Sequence, residues 1–422
     1  MNVLILGSGG REHALALKVK ESPKCNKLFI SPGNGGTINC FENVSLSTNE
    51  DLLKFCKKEQ IALVIVGPEK YLVDGTVDFL RSMGVTVFGP GKDASEIEAN
   101  KLFAKKLMGQ HNVPTGNYKE FSVTSSKADI LHYLNQQKYP IVVKANGLAA
   151  GKGVAICNNI YEALDAVLLN FEERAFGEAS NKILIEEFLI GEEASLFVIS
   201  DGEDFFCLPI AKDHKRIGDN DTGKNTGGMG AYAPAFIVSD DLLKIIEDTI
   251  IKPTLYGLKQ LGTPFIGCLF CGLILTKDGP KVIEFNARFG DPETQAVMNV
   301  IEGDFLELLF SAAKGVINKN AVSYNGGVSV CVITASKGYP DNYETNFEIS
   351  GLDKIDESTA KVYHAGTVLK GGKLFTNGGR VLGVTSFVKE KNFDEAIKYA
   401  YQAVSKISYD NIYYRTDIGK KR

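Results

Sequence analysis

The sequence predicts a multidomain chain of the α/β and α+β classes, opening with a parallel sheet and closing with a smaller α+β unit. Three observations carry this expectation. The first part of the chain alternates short apolar runs with helical patterns, as βα units do. A glycine-rich stretch, Lys144–Gly153, lies between two strand patterns. The run Val322–Gly327 ends in Gly326-Gly327 and is followed by a new set of strands and one amphipathic helix. At 422 residues with 44% hydrophobic content, the chain can fill about two to four cores.

Apolar runs at Val3–Leu6, Leu28–Ile30, Leu63–Val66 and Val85–Phe88 read as parallel strands buried on both faces. Each ends in a turn: Gly7-Ser8-Gly9-Gly10, Pro32-Gly33-Asn34-Gly35-Gly36, Gly67-Pro68-Glu69 and Gly89-Pro90-Gly91. Open α/β sheets bind ligands at these strand ends. Ser47-Thr48-Asn49-Glu50 has the form of a capping box. Gly7–Glu12 is not a dinucleotide fingerprint, because Glu12 stands where the third glycine belongs. It fits a plain tight turn and a small-anion loop equally, with Arg11 or His13 adding to the latter. A helix is expected from Glu96 to His111, with Lys101, Lys105 and Lys106 solvated and Pro114 beyond its end. A helix at Ala128–Gln136 and the strand Ile141–Val143 follow.

Lys144–Gly153 is not a Walker A loop. Three residues separate Gly147 from Gly151, Gly153 follows Lys152, and a strand pattern, Val154–Ile156, comes next. The favoured reading is a hairpin flap that lays backbone N–H groups and Lys152 over phosphates, with Lys144 as a second charge. Ile183–Leu189 is a strand breaking into Glu186 and Glu187, and the pattern favours carboxylates facing solvent over contacts to ribose or adenine. Asp213–Tyr232, dense in charge and glycine, is expected as a long functional loop. His214 within it suits a polar substrate contact better than a base, having no nucleophile beside it.

The helix Asp240–Leu261 and the strand Cys268–Leu275 lead to Val282–Glu293. On a strand, Glu284 and Asn286 project side by side, with Arg288 next on that face. Two hard oxygen ligands suit magnesium completed by phosphates, and the arginine suits a transferring phosphoryl group. An edge strand of alternating polar residues fits the same pattern. Helices at Glu293–Val300 and Phe305–Val316 follow. Strands at Val328–Ala335, Lys361–His364, Leu374–Phe375 and Arg380–Phe387 and a helix at Phe393–Ile407 complete the chain, with Asn377-Gly378-Gly379 as a hairpin turn.

With 47 basic against 51 acidic residues the net charge is −4, which speaks against nucleic acid as a partner. The eight cysteines are scattered, and Cys268 and Cys271 sit in an apolar run as expected buried thiols. No stretch approaches a membrane span, and a cytoplasmic location is expected.

Together, Gly7–His13, Pro32-Gly33-Asn34, Gly67-Pro68-Glu69, Lys144–Gly153, Glu186–Leu189, Asp213–Tyr232 and Arg288–Glu293 resemble the phosphoribosylamine–glycine ligase family of the ATP-grasp superfamily. The resemblance runs from Met1 to about Ile418. It implies a Rossmann-like N-terminal domain (1–101), an ATP-grasp core (102–325) with a mobile small lobe at about 121–190, and a C-terminal domain (326–422). It implies the joining of glycine to 5-phosphoribosylamine with ATP and Mg2+ or Mn2+, by a monomer or weak homo-oligomer. The implied ATP contacts are Lys105, Lys144, Gly147, Gly151, Lys152, Gly153, Glu186, Glu187, Leu189 and Glu193; the metal ligands are Glu284 and Asn286. The implied substrate contacts are Gly9, Gly10, Arg11, Asn34, Glu69, Asn225, Thr226, Gly228, Met229, Arg288 and Asp291. Catalytic roles fall on Arg288, Lys144, Lys152, Asp213 and His214. Relatives often add an acidic metal ligand on the neighbouring strand; Leu273 and Leu275 offer none. The sequence departs from the family pattern at Ala99-Asn100, Asn146, Lys224 and Lys70-Tyr71. Rival readings are a sister ATP-grasp ligase, a nicotinamide oxidoreductase, which Glu12 opposes, and an inactive nucleotide-binding regulator, which Glu284, Asn286 and Arg288 oppose.

Overall fold

The computed structural model describes residues 1–149 and 152–420, so Gly151 of the expected flap lies outside the described residues. The chain begins with a five-stranded parallel sheet, ordered Glu42–Asn43, Lys27–Pro32, Asn2–Gly7, Ile61–Val66, Val87–Phe88. Val3–Leu6 and Leu63–Ile65 are fully buried, as strands covered on both faces must be. The strand order reverses between Asn2–Gly7 and Ile61–Val66, so the ligand crevice of such a sheet opens at Gly7 and Gly67. Glu12 fills it. From the first turn of the helix Gly10–Lys20, its Oε2 accepts the Gly9 N–H at 2.6 Å and its Oε1 accepts Arg11 Nε at 2.5 Å. A Cβ on Gly67 would collide with Glu12 Oε1, which is why the second turn needs a glycine. A carboxylate therefore sits where a dinucleotide would present its pyrophosphate. His13 is not available to an anion either: its Nδ1 accepts the His364 N–H at 2.9 Å in a buried contact.

In the first part of the chain, helix boundaries differ from expectation at two places. Thr48, not Ser47, caps the helix Asn49–Lys58, accepting Asp51 N–H at 3.1 Å. The expected helix 96–111 is two helices, Lys92–Ala99 and Lys101–Gln110, because Asn100 leaves the helical conformation to cap the second through Phe103 N–H.

The small lobe is a four-stranded antiparallel sheet, ordered Tyr118–Ser122, Lys182–Glu187, Ile141–Ala145, Val154–Cys157. The helices Lys127–Asn135 and Ile160–Phe171 pack with it around Phe121, Ile130, Leu134, Val143, Val167 and Ile183. This core is separate from the two that run through the rest of the protein.

The second lobe carries the sheet Phe205–Cys207, Glu192–Asp201, Ile266–Thr276, Gly279–Asn286. Cys268 and Cys271 are buried free thiols in it. Its last pair contains a bulge: Gly272 faces Glu284 but Leu273 faces Val282, leaving Ile283 extra. The added residue turns Val282 and Phe285 into the core and leaves Glu284 and Asn286 on the other face. The expected helix 240–261 is interrupted by a π-type turn at Glu247–Ile251 just before Pro253, which has no N–H to continue the ladder.

The third sheet runs Lys212–Asp213, Gly230–Ala233, Val328–Ser336, Arg380–Val388, Ala360–His364, with Ile412–Tyr413 on the end of Val328–Ser336. The expected loop 213–232 is thus not structureless. Its two ends are strands of this sheet, and between them Arg216–Gly218 and Thr222–Asn225 pair as a ribbon. The hairpin turn also moves. Thr367–Lys370 and Lys373–Thr376 turn at Gly371-Gly372, both at positive φ as a type I′ turn demands. Asn377-Gly378-Gly379 instead carries the chain into Arg380–Val388 of another sheet.

Gly67→Ala is expected to destabilise the protein by about 1–3 kcal/mol through overpacking against Glu12. Urea denaturation reads this directly, and an unchanged midpoint would show that Glu12 is not seated in the crevice.

Candidate active site

Three segments far apart in sequence meet at Glu186. Lys144 lies in the strand Ile141–Ala145, Lys105 in the helix Lys101–Gln110 and Glu186 in the strand Lys182–Glu187. Both lysine Nζ atoms bond Glu186 Oε2, at 3.0 Å from Lys144 and 3.1 Å from Lys105. The three residues are 5%, 3% and 6% exposed in the order Lys144, Lys105, Glu186. Lys105 and Glu186 therefore do not face solvent as the local pattern suggested. Neighbouring opposite charges make the burial tolerable, while Lys106, whose carboxylate neighbour Glu120 is a loose 3.9 Å away, stays exposed. Lys105 also donates to Thr115 Oγ1 and the Gly116 carbonyl, each at 2.9 Å, and Lys144 reaches the Ile283 carbonyl of the second lobe at 3.2 Å. Glu186 Oε1 is buried without a hydrogen-bond partner.

Lys101, expected in solvent, is half-buried and donates to the Gly147 carbonyl at 2.8 Å. Asn146 Oδ1 accepts the Leu102 N–H at 2.9 Å. These two bonds tie the root of the flap to the start of the helix Lys101–Gln110. Of the other expected nucleotide contacts, Lys152 is exposed, Gly153 is buried and Leu189 is half-buried. Glu187 accepts Asn117 N–H at 3.1 Å and Asn117 Nδ2 at 3.2 Å, and Glu193 pairs with Lys215 at 3.3 Å.

Glu284 and Asn286 share one face, as expected. Against its burial, Lys215, Lys144, Lys101 and Arg288 hold the Glu284 carboxyl below the ordinary range, so it is ionised. Asn286 Nδ2 donates to the Phe285 carbonyl at 3.0 Å, which leaves its Oδ1 as the outward acceptor. Among the described residues no group of three or more His, Cys, Asp or Glu is placed to hold a metal unaided. Two oxygen donors fit a magnesium ion that takes its other ligands from phosphate and water. Lys215, which the sequence pattern did not single out, lies among Glu193, Asp213, Glu284 and Glu293, and against its burial these carboxylates hold it well above the usual lysine range. Burial pushes the carboxyls of Asp213 and Glu293 up, and Ser195 Oγ donates to Glu293 Oε1 at 3.0 Å.

The third side of the site is built by Arg288–Glu293. Arg288 Nη2 pairs with Glu98 at 3.0 Å, its Nε lies 3.6 Å from Glu69, and Glu98 also accepts the Ala287 N–H at 2.7 Å. Arg11 Nη1 donates to the Phe289 carbonyl at 3.0 Å. Asp291 accepts Gln295 Nε2 at 2.8 Å; against burial, Arg380 and then Arg11 hold it below its ordinary value. Arg380, another residue with no local signal, donates through Nη1 to the carbonyls of Gly227 at 2.5 Å and Asp291 at 2.7 Å. It joins the 225–230 segment to the 288–293 segment. Gly228, at φ +105°, packs so closely on Pro292 that no side chain fits. Thr226 donates its N–H at 2.8 Å and its hydroxyl at 2.9 Å to the Lys215 carbonyl, Asn225 pairs with Arg216, and Met229 is fully buried. Asn34 ties its loop to two other segments, with Nδ2 on the carbonyls of Ser8 and His364 and Oδ1 accepting from Gly36 and Thr37 of its own loop. Gly9 and Gly10 pack beside Asp291 and Gln295. Burial and Arg415 lower the His214 imidazole to about 4, so it is neutral at pH 7.

A two-lobed core between an open parallel sheet and a third unit, with lysines on the lobe interface facing a Glu/Asn pair, defines an ATP-grasp protein. The fold is shared with the biotin carboxylase domain of 2-oxoglutarate carboxylase from Hydrogenobacter thermophilus, with TM-score 0.71 at 15% identity, covering 98% of this chain and 91% of that one. Three family models match in succession: the phosphoribosylglycinamide synthetase N domain at residues 1–98, its ATP-grasp (A) domain at 99–294 and its C domain at 329–421. The chain belongs to the phosphoribosylglycinamide synthetase family. It is 43% identical over 420 residues to the phosphoribosylamine–glycine ligase of Caldanaerobacter subterraneus subsp. tengcongensis, covering 99% of each chain. It is 44% identical over 421 residues to that of Agrobacterium fabrum, covering 99% of this chain and 98% of the relative. The crystal structure of phosphoribosylamine–glycine ligase from Thermotoga maritima matches with TM-score 0.86 and 32% identity over 99% of this chain and 100% of that one.

Glu186→Gln leaves two buried lysines sharing a neutral partner and is expected to cost about 3–5 kcal/mol in the ligand-free protein, read by urea denaturation. A second expectation concerns acid. Burial lowers His13 to about 3 and His364 to about 4, alongside His214 at about 4, from an ordinary 6.5. Groups depressed in the fold contribute their stability above the unfolded value and lose it as pH falls toward the folded one. The melting temperature should therefore drop between pH 6.5 and 4, and less steeply in His13→Asn. Equal slopes would mean that His13 is not buried neutral.

Proposed function

We infer that the chain catalyses the ATP-dependent joining of glycine to 5-phosphoribosylamine, giving glycinamide ribonucleotide, ADP and phosphate, the second step of purine synthesis. The observation that carries this reading is the full-length match to phosphoribosylamine–glycine ligases together with the Lys105, Lys144, Glu284, Asn286 and Arg288 set at one interface.

Lys105 and Lys144 bind the nucleotide phosphates, and Glu186, with its unpaired Oε1, Glu187, Leu189 and Glu193 line the adenosine side. A glycine carboxylate oxygen attacks the γ-phosphorus, the bond from that phosphorus to the ADP oxygen breaks, and glycyl phosphate forms. The amine of phosphoribosylamine then attacks the acyl carbon, loses a proton, and phosphate departs with the acyl C–O electron pair. Phosphorylation is needed because a carboxylate has only oxide to expel. Glu284 and Asn286 would hold Mg2+ or Mn2+, which when bound neutralises charge on the phosphoryl oxygens. Arg288, anchored by Glu98 and Glu69, places a guanidinium beside the same oxygens, so that catalysis is mainly positioning and charge stabilisation. Asp213, His214 and Lys215 line the substrate side with Asn225, Thr226, Gly228 and Met229; Gly9, Gly10, Arg11, Asn34, Glu69 and Asp291 complete the phosphoribosyl side. The flap with Gly147, Lys152 and Gly153 closes over the acyl phosphate and keeps water out.

The separate core of the small lobe supports its motion as a unit, and the family-model spans support the division 1–101, 102–325 and 326–422. Eight free cysteines support a cytoplasmic enzyme, working as a monomer or weak oligomer; among the described residues no helix is long and apolar enough to cross a membrane.

ADP release is expected only when ATP, glycine and phosphoribosylamine are all present, one per glycinamide ribonucleotide. Release that ignores glycine would reassign the chain to another carboxylate. Arg288→Ala is expected to lower kcat at least about 100-fold while the Kd for ATP moves little. Glu284→Gln is expected to raise the metal concentration needed for half activity, and an unchanged requirement would remove Glu284 as a ligand.

A further inference from the structure

No residue from Arg216 to Asn225 is buried, so the ribbon at the tip of the substrate loop has no apolar core of its own. Its turn is also conformationally unfavourable. Asn220 and Asp221 both sit at positive φ, 58° and 57°, a state Asn and Asp tolerate singly but which two residues in succession hold more easily with contacts to fix them. Those contacts come from one distant segment, Tyr413–Asp417. Arg415 is 1% exposed, although its guanidinium lies at the edge of an otherwise polar ribbon. Its Nη1 donates to the Arg216 carbonyl at 3.0 Å and to Asp221 Oδ1 at 2.9 Å. Its Nε and Nη2 fork onto the two oxygens of Asp417, each at 2.8 Å, and Asp417 Oδ2 also accepts the Asn220 N–H at 2.8 Å. Asp219 accepts the Thr416 N–H at 2.8 Å and hydroxyl at 2.5 Å, and Tyr413 OH donates to the Ile217 carbonyl at 2.8 Å. Every residue from Arg216 to Asp221 except Gly218 is therefore held by a side chain or backbone group of this segment.

We propose that Tyr413–Asp417 is a clasp that positions the substrate loop, with Arg415 as its positioning residue: it fixes the ribbon, and through the ribbon the placement of Lys215 and Thr226 at the site. The two roots of the ribbon are Lys215 and Thr226, which are bonded to each other twice through the Lys215 carbonyl. A ribbon held by Arg415 Nη1 and by Asp417 is restrained from sliding or twisting at its roots. Lys215 then stays between Glu193 and Glu284, and Thr226–Met229 stay against Pro292. Released, the ribbon has its own strand pairing, marginal for an isolated hairpin in water, and the exposed ion pair of Lys224 with Asp341 at 2.8 Å, which adds little. The clasp bears first on the substrate side. It reaches the nucleotide side only through Lys215 beside Glu193 and Glu284, while Lys105, Lys144 and Glu186 are held by bonds of their own, so ATP affinity depends on it far less than substrate binding does.

This rests on the glycine-ligating reading above, and the test separates the two. Wild type and Arg415→Ala are compared for the KM of glycine and of phosphoribosylamine, the Kd of ATP, and amide hydrogen exchange in residues 216–225, each with and without added guanidinium. The expected result is a tenfold or greater rise in at least one of the two substrate KM values, faster exchange confined to the ribbon, an ATP Kd within twofold, and recovery by guanidinium. Unchanged KM values with unchanged exchange would overturn the clasp, as would a fall in kcat at constant KM, the mark of mere destabilisation. If Arg415→Ala does not fold, Tyr413→Phe removes one hydroxyl bond and should give the same pattern at up to about fivefold. Should the wild type fail to use glycine, the functional reading falls, while the exchange arm still decides whether the clasp holds the ribbon.

Discussion

The arrangement on which the rest of the site depends is the sharing of one carboxylate oxygen by two buried lysines. Two lysines brought together in a closed interface repel each other, and burial pushes Lys105 below its ordinary value with Glu186 opposing that shift. Glu186 Oε2 pairs with both, so two lysines share one carboxylate oxygen while Glu186 Oε1 is left without a hydrogen-bond partner. A polyanionic ligand improves that balance, whereas an apolar one does not. The same logic recurs with the signs reversed around Lys215, a single cation among four carboxylates. One cluster is short of negative charge and the other of positive charge, and Glu284 lies electrostatically between them, acted on by Lys215 and Lys144 alike.

Much of this was legible in the sequence because it is local. Buried parallel strands announce themselves as apolar runs, and Glu284, Asn286 and Arg288 share a face through strand periodicity. The glycine-rich flap is marked by its composition. What the sequence pattern could not convey was pairing between distant segments. Lys105 looks like any helix-surface lysine until Glu186 is brought to it from another strand. Arg380 and Lys215 carry no signal of their own, since their roles are set by the carbonyls and carboxylates that the tertiary fold delivers. The resemblance to the ligase family supplied Lys105 and Glu186, where local pattern read them as solvated.

The long polar stretch 213–232 shows a different limit. Its composition reads as an unstructured loop because Ile217 is the one apolar side chain in its ribbon, but order here comes from hydrogen bonds to another part of the chain rather than from burial. The Glu12 carboxylate in the sheet crevice is a related case. A single residue that breaks a nucleotide fingerprint also occupies the space the fingerprint would have served, so the parallel sheet is turned from cofactor binding to supporting Arg288 and Asp291 through Glu98 and Arg11.

Because Gly230–Ala233 pairs directly with Val328–Ser336, the last sheet is assembled from pieces nearly a hundred residues apart. During synthesis Gly230–Ala233 emerges from the ribosome well before its neighbour and must wait with its backbone donors and acceptors open on that side. Its pairing waits on Val328–Ser336, whereas the sheets of the two lobes are built from strands that lie earlier in the chain. Severed at the glycine pair 326–327, the C-terminal fragment would leave Val328–Thr334 as an apolar edge stripped of Gly230–Ala233, with only its far end covered by Ile412–Tyr413, a template for self-association rather than a stable module.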